Sequence, residues 1–366
     1  MIVNGSPYRT IWLNTDGWSV DIIDQTRLPH EFEIVTLCST EDARRAIADM
    51  LVRGAPLIGA TGAYGIALAA KHDPGNEAIK EAAKSLLGAR PTAVNLRWAT
   101  ERMLEALLAL DESARVKAAY DLAAEICDED VEVCAAMGEY GLELVREVQA
   151  RKSDPGPVNI LTHCNAGWLA TVDWGTALAP IFKAHNAGLD VHVWVDETRP
   201  RNQGAHLTAW ELANHNVPHT LIVDNAGGHL MQQGLVDMCF VGTDRTTHTG
   251  DVCNKIGTYL KALAARDNNI PFYVCAPSSS IDWSMENGLR DIPIEQRHGD
   301  EVAWLRGRTK HGELADICIK PEATTVRNDA FDVTPRRYIT GLVTERGVCA
   351  ADAAALAALF PERVLD

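Results

Sequence analysis

Residues 158–167 read Val-Asn-Ile-Leu-Thr-His-Cys-Asn-Ala-Gly. An apolar run from Val158 to Leu161 stops at an imidazole, a thiol and an amide, with Ala166 and Gly167 behind them. A short apolar run bounded by turn residues reads as a buried strand. Asn165-Ala166-Gly167 then predicts a tight turn into a helix, so Cys164 is expected at a strand's carboxyl end and a helix's start. Backbone N–H groups at such a place favour a thiolate or an anion. That makes Cys164 a candidate reactive thiol. His163, taken singly, reads as a hydrogen-bonded structural residue.

Similar runs recur at Val191–Val195, Thr220–Val223, Met238–Val241 and Phe272–Cys275, several separated by helical stretches. This alternation predicts βαβ units and a parallel sheet, hence an α/β fold. Polar residues follow the runs: Asp196-Glu197, Asp224-Asn225, Asp244-Arg245 and Ser278. Ligands of open α/β sheets bind outside the carboxyl ends of the strands, so these groups are expected on one rim. Asp244 is the candidate general acid or base there.

Upstream of residue 150 the texture differs. Arg9–Leu13 and Trp18–Ile23 flank Asn14-Thr15-Asp16-Gly17, a hairpin signal, and Phe32–Cys38 is a third strand. Ser39 opens a helix with Glu41 and Asp42 in its first turn. Ala-rich helical periodicity follows to about Ala150, including a buried helix over Gly54–Ala70, whose Gly59, Gly62 and Gly65 imply close packing rather than a dinucleotide loop. Arg151-Lys152-Ser153-Asp154-Pro155-Gly156-Pro157 is the linker candidate. It divides the chain into a domain over 1–150 and a second over 151–366.

The 366 residues carry a formal charge of −16, which argues against nucleic-acid binding by phosphate neutralisation. Any phosphate site must be built locally. The nine cysteines are scattered, without a C-x-x-C pair, and indicate a reducing compartment with neither disulfides nor a zinc knuckle. The first residues lack a signal-peptide pattern, and Gly54–Ala70 is short for a membrane span. The expected location is the cytoplasm.

Arg53-Gly54-Ala55-Pro56, Arg90-Pro91-Thr92-Ala93-Val94-Asn95-Leu96 and Asn254-Lys255-Ile256-Gly257-Thr258 are weak signals singly. In order with Thr162 to Gly167, Asp196 to Pro200, Gln203-Gly204-Ala205, Asp224-Asn225, Gly242 to Arg245 and Gly250-Asp251-Val252, they form a specific set. By this set the chain resembles the methylthioribose-1-phosphate isomerase family over nearly its whole length. The resemblance implies a small N-terminal domain of strands and helices, a Rossmann-like C-terminal domain and a homodimer. It implies conversion of an aldose 1-phosphate to a ketose 1-phosphate in methionine salvage, without metal or nucleotide cofactor. By it Cys164 and Asp244 are catalytic, and Arg53, Gly54, Ala55, Arg90, Gln203, Asn254 and Lys255 hold the substrate.

Phosphate on the anomeric oxygen locks such a sugar as an acetal, so the ring must be opened on the enzyme. A proton for the ring oxygen requires a carboxyl group still neutral near pH 7, which burial in a dry wall provides. Hydrogen then moves from C2 to C1, either as a proton carried by a Cys164 thiolate or as a direct hydride. Trp168, Asp173, Trp174, Thr243 and Thr247-His248-Thr249 depart from the family pattern, and we expect them near the pocket, with Trp168 as a wall for the sugar's 5-substituent. The alternatives are an isomerase of 5-deoxyribose 1-phosphate or ribose 1,5-bisphosphate, and a non-catalytic relative like the regulatory subunits of the translation initiation guanine-nucleotide exchange factor.

Overall fold

The structure is a computed structural model that describes residues 1–363 apart from Thr92 and Asp154. Those two, one in a quoted motif and one in the expected linker, lie outside the described residues, as do positions 364–366.

After a two-stranded ribbon of Ile2–Val3 and Ser6–Pro7, the chain forms an antiparallel sheet of Ile11–Leu13, Val20–Ile23 and Ile34–Leu37. Ser39 then caps the helix Thr40–Ala48, its hydroxyl accepting the Asp42 N–H. The helix Ala55–His72 is buried along almost its whole length. The helices Thr40–Ala48, Asn76–Ala89, Val94–Leu108 and Glu112–Arg151 pack around it. Its glycines permit this crowding: a Cβ on Gly62 would lie 2.5 Å from Leu96 Cδ1. The Gly-x-x-Gly-x-x-Gly spacing is therefore a packing device, as its sequence context implied.

The 40-residue helix Glu112–Arg151 runs on to the second half of the molecule, packing on the helix Ala179–Asn186 and the strand Gly341–Thr344. There the five expected strands appear within a seven-stranded sheet. Its spatial order is Gly347–Cys349, Gly341–Thr344, Phe272–Cys275, Met238–Val241, Val158–Thr162, Val191–Asp196, His219–Ile222. All neighbours are parallel except the outermost pair, Gly341–Thr344 with Gly347–Cys349. In chain order this is 7-6-5-4-1-2-3, the doubly wound arrangement read from its other edge. The order reverses between Val158–Thr162 and Met238–Val241, the two strands that lead to Cys164 and Asp244. A crevice opens at such a switch point because the connections on its two sides depart to opposite faces.

The sequence reading missed a second sheet. Ile281–Asp282, Arg245–Thr247, Val252–Lys255 and Phe331–Thr334 pair in that order beyond the carboxyl rim. Asn254 and Lys255 thus lie on a strand. Also unforeseen is the hairpin Trp304–Arg308 with Leu314–Cys318. Among the described residues no helix is long and apolar enough to cross a membrane.

Candidate active site

Cys164 does not start a helix. Residues 163–167 are an irregular loop, followed by a single 3₁₀ turn at Trp168–Ala170. The expectation of a helix N-terminus stabilising the thiolate is therefore overturned. Cys164 instead sits in the left-handed region, φ 68°, a conformation that costs a residue with a Cβ about 1–3 kcal/mol. Two threonines hold it there. Its N–H donates to Thr198 Oγ1 at 2.8 Å, and its carbonyl accepts from Thr208 Oγ1 at 2.8 Å.

The nine residues expected to be catalytic or to hold the substrate meet in one crevice of two adjoining lobes. Arg53, Gly54, Ala55, Arg90, Cys164, Gln203, Asp244 and Lys255 line the first, with an apolar side formed by Met50, Ile58, Ala93, Ile292, Pro293 and Phe331. Asn254 lines the second, which also reaches Cys164 and Asp244. A larger cleft opens past the shared Arg53 and Gln203, lined by His30, Arg201, His206 and Arg306 among others. It contains neither Cys164 nor Asp244, so the chemistry belongs to the narrower crevice.

The electrostatics follow from crowding charges in little water. Burial pushes the Asp244 carboxyl up from its ordinary range, against the pull of Lys255, Arg53 and Arg90. Burial likewise pushes the Cys164 thiol up, with Arg53 and Lys255 drawing it back and Asp244 adding to the rise. Lys255 is pushed down by burial, while Cys164 and Asp244 hold it up. Its ammonium lies 4.6 Å from the centre of the Phe331 ring. Burial thus shifts both the acid and the thiol toward their neutral forms.

Several polar atoms here lack a protein partner. Arg90 Nη2 is 3.7 Å from Glu295 Oε2, beyond hydrogen-bond length, and both Arg90 Nε and that carboxylate oxygen are buried without partners. Gln203 Oε1 is in the same condition. A buried polar group left unmatched is costly, so such a set marks a place completed by a ligand.

His163 behaves as the structural reading expected. Its Nδ1 lies 2.8 Å from Asp196 Oδ2 and its Nε2 2.8 Å from the Ile256 carbonyl, joining the Cys164 loop to the Lys255 segment. His163, Asp196 and Asp224 approach as metal ligands would, but the Lys261 ammonium sits among them, 3.1 Å from Asp196 Oδ2 and 2.6 Å from the Asp224 carbonyl. The cluster is an ion-pair network.

The tryptophan expectation fails. Trp168 is 1% exposed and packs in the core against Trp210, ring centres 6.1 Å apart. Trp174 covers the Lys183 ammonium, and Asp173 binds the amino terminus at 2.9 Å. None of the three lines the crevice. The misplaced helix start is the cause, since it aimed side chains 168–174 along an axis that does not exist. Thr243 does line it. Sequence reasoning also missed Glu211 and Glu295, which reach the site from 46 and 205 residues away in the chain from Asn165 and Arg90 and carry no local signal.

A model of the initiation factor 2 subunit family matches residues 51–351. The methylthioribose-1-phosphate isomerase of Rhodospirillum rubrum is 62% identical over 367 residues, covering 99% of this chain and 94% of its own. That of Sinorhizobium medicae is 61% identical over 363 residues, covering 99% and 100%. Among solved structures, 5-methylthioribose 1-phosphate isomerase from Pyrococcus horikoshii superposes with a TM-score of 0.83 at 40% identity, covering 97% and 96%. A structure described as translation initiation factor eIF-2B, subunit delta, from A. fulgidus does so with 0.80 at 39%, covering 97% and 100%.

Proposed function

The chain belongs to the initiation factor 2 subunit family, and we propose that within it the chain is an aldose–ketose isomerase converting 5-methylthioribose 1-phosphate to 5-methylthioribulose 1-phosphate. One observation carries the reading beyond the likeness: a neutral-leaning carboxyl and thiol face three cations in a crevice whose remaining side is apolar. The cations Arg53, Arg90 and Lys255 suit the phosphate. Arginine pairs with its oxygens in a fixed fork, and the clamp keeps the phosphate from leaving the opened intermediate. Met50, Ile58, Ala93, Ile292, Pro293 and Phe331 suit the methylthio tail in place of Trp168.

In this reading Asp244 gives its proton to the ring oxygen as the C1–O bond breaks, leaving a 4-hydroxyl and a cationic C1. Hydrogen then moves with its electron pair from C2 to C1, and the 2-hydroxyl gives its proton to the Asp244 carboxylate, forming the ketone and restoring the acid. We favour this hydride route because burial holds the Cys164 thiol above its ordinary range, where it is a poor base at neutral pH. Cys164 then packs against the migrating centre. The reaction run in D2O should yield product without deuterium at C1; substantial incorporation would restore the thiolate route.

The second reading, a regulatory protein without turnover, draws on the A. fulgidus likeness. Turnover of the methylthio sugar, compared with 5-deoxyribose 1-phosphate and ribose 1,5-bisphosphate, separates the possibilities. We expect the highest kcat/KM with the methylthio sugar. No turnover of any sugar would support the regulatory reading, and preference for the bisphosphate would overturn the apolar-tail assignment. The proposal includes a homodimer acting in methionine salvage in the cytoplasm, and sedimentation would test the dimer.

A further inference from the structure

Glu211 is 0% exposed and sits behind the crevice, outside both of its lobes. It lies on the helix Ala209–Asn214, which continues the π-helical turn Gly204–Thr208 just after Gln203. Its Oε1 accepts the Asn165 side-chain amide at 2.7 Å and the Leu169 N–H at 3.1 Å. Its Oε2 accepts the Trp168 N–H at 2.9 Å. The Asn165 amide group also donates to Thr208 Oγ1 at 3.1 Å, so both its hydrogens are used. Asn165 Oδ1 must then face the other way, where it accepts from Arg53 Nη1 at 2.5 Å. The same nitrogen bonds the Asn165 carbonyl at 3.0 Å.

The amide can take only this orientation. Flipped, it would set its NH₂ against a guanidinium and its oxygen against a carboxylate. The chain also makes room for the carboxylate: a Cβ on Gly167 would lie 1.9 Å from Glu211 Oε2. Burial pushes Glu211 up to about 7, opposed by its hydrogen bonds from Asn165, Leu169 and Trp168 and by Arg53. A buried carboxylate is weak evidence for stability, since apolar replacements often serve as well.

Resting on the isomerase reading above, we propose that Glu211 is a positioning residue, which through Asn165 sets the Arg53 guanidinium against the substrate's phosphate. It touches neither substrate nor reacting atoms. A carboxylate that merely closed the 165–169 loop would affect folding and would reach Arg53 through charge alone, an effect that Arg53→Lys leaves in place.

The test measures inorganic phosphate binding by calorimetry for the wild type, Glu211→Gln, Arg53→Lys and the double variant, beside their melting temperatures. Gln can accept fewer of the three donors, so the Asn165 amide loosens. Phosphate affinity should fall about tenfold in Glu211→Gln, the order expected from one misplaced charge-assisted bond. In the Arg53→Lys background the same change should cost nothing further, because the fork it positions is gone. Losses that multiply in the double variant, or a folded Glu211→Gln that binds phosphate normally, would overturn the relay. Should Glu211→Gln fail to fold, Asn165→Ala removes the relay while sparing the backbone bonds to Glu211, and unchanged phosphate affinity there overturns it equally. A wild type that takes up no phosphate would also defeat it, whereas the isomerase reading is judged separately by turnover of the sugar.

Discussion

His163 and Cys164 are neighbours in sequence and belong to opposite kinds of polar cluster. Behind the loop, both ring nitrogens of His163 have partners. Asp196 receives His163 and Lys261, and Asp224 caps the Thr198 and Arg199 N–H groups at 2.8 and 2.7 Å. Only Asp196 Oδ1 is left over. In front, around Cys164, Arg53 is bonded to Asn165 and one Glu295 oxygen to Arg297, but Arg90 Nη2 stands 3.7 Å from Glu295 Oε2, and Arg90 Nε, Glu295 Oε2 and Gln203 Oε1 have no partner. The first cluster is almost closed on itself, and the second is complete only with an anionic, partly apolar guest. By residue type alone the two would be hard to tell apart. Incompleteness distinguishes a site from a brace.

The sharpest way to break the contrast is in front. Asp244→Asn keeps the shape and removes the transferable proton. We expect kcat to fall about 10²–10⁴-fold while the melting temperature and phosphate affinity hold. The sign of the pH dependence follows from the raised carboxyl pKa. The acid form persists to higher pH than an ordinary aspartate's, and kcat declines as pH rises through that value. Near-normal turnover in the variant, or activity rising across that range, would remove Asp244 from the role.

Behind, the expected order of effects is reversed. Lys261→Met takes one cation from the buried Asp196, and stranding one member of a buried ion-pair network costs about 3–5 kcal/mol. The unfolding free energy measured by urea titration should drop by that amount, while the folded fraction keeps KM and kcat within a few-fold. A hundredfold loss of kcat at unchanged stability would place the network in the catalytic machinery and erase the contrast.

How much of this was legible in the sequence depends on the range of the interaction that decides it. The strand before Cys164 and the strand before Asp244 announce themselves locally, and chain order with the rule of carboxyl ends brings them to one rim. The cap at Ser39 and the buried helix from Ala55 were readable for the same reason. The loop after Cys164 was not. Asn165-Ala166-Gly167 fits a helix entry, and what unwinds it is Glu211, 43 residues on, capturing the Trp168 N–H. That capture turned Trp168 into the core. Arg245–Thr247 and Val252–Lys255 were illegible too. They are strands of three and four residues, the second fixed by pairing with Phe331–Thr334, too far along the chain for a window to register.

Thr243 tests the boundary between the clusters, with the smallest effect. It lines the crevice beside Asp244, and position alone would assign it to the substrate. Its hydroxyl has other business, lying 3.0 Å from Thr246 Oγ1 and donating to the Cys253 carbonyl at 3.3 Å. Thr246 is 0% exposed, so losing that partner leaves a buried hydroxyl poorly matched. Thr243→Ala should therefore lower unfolding stability by about 1 kcal/mol, the usual net worth of such a bond, and leave KM and kcat within about twofold. If KM instead rose tenfold at unchanged stability, the hydroxyl would have to turn toward the sugar when it binds. Membership in the front cluster would then be set by the ligand rather than by the hydrogen bonds present without it.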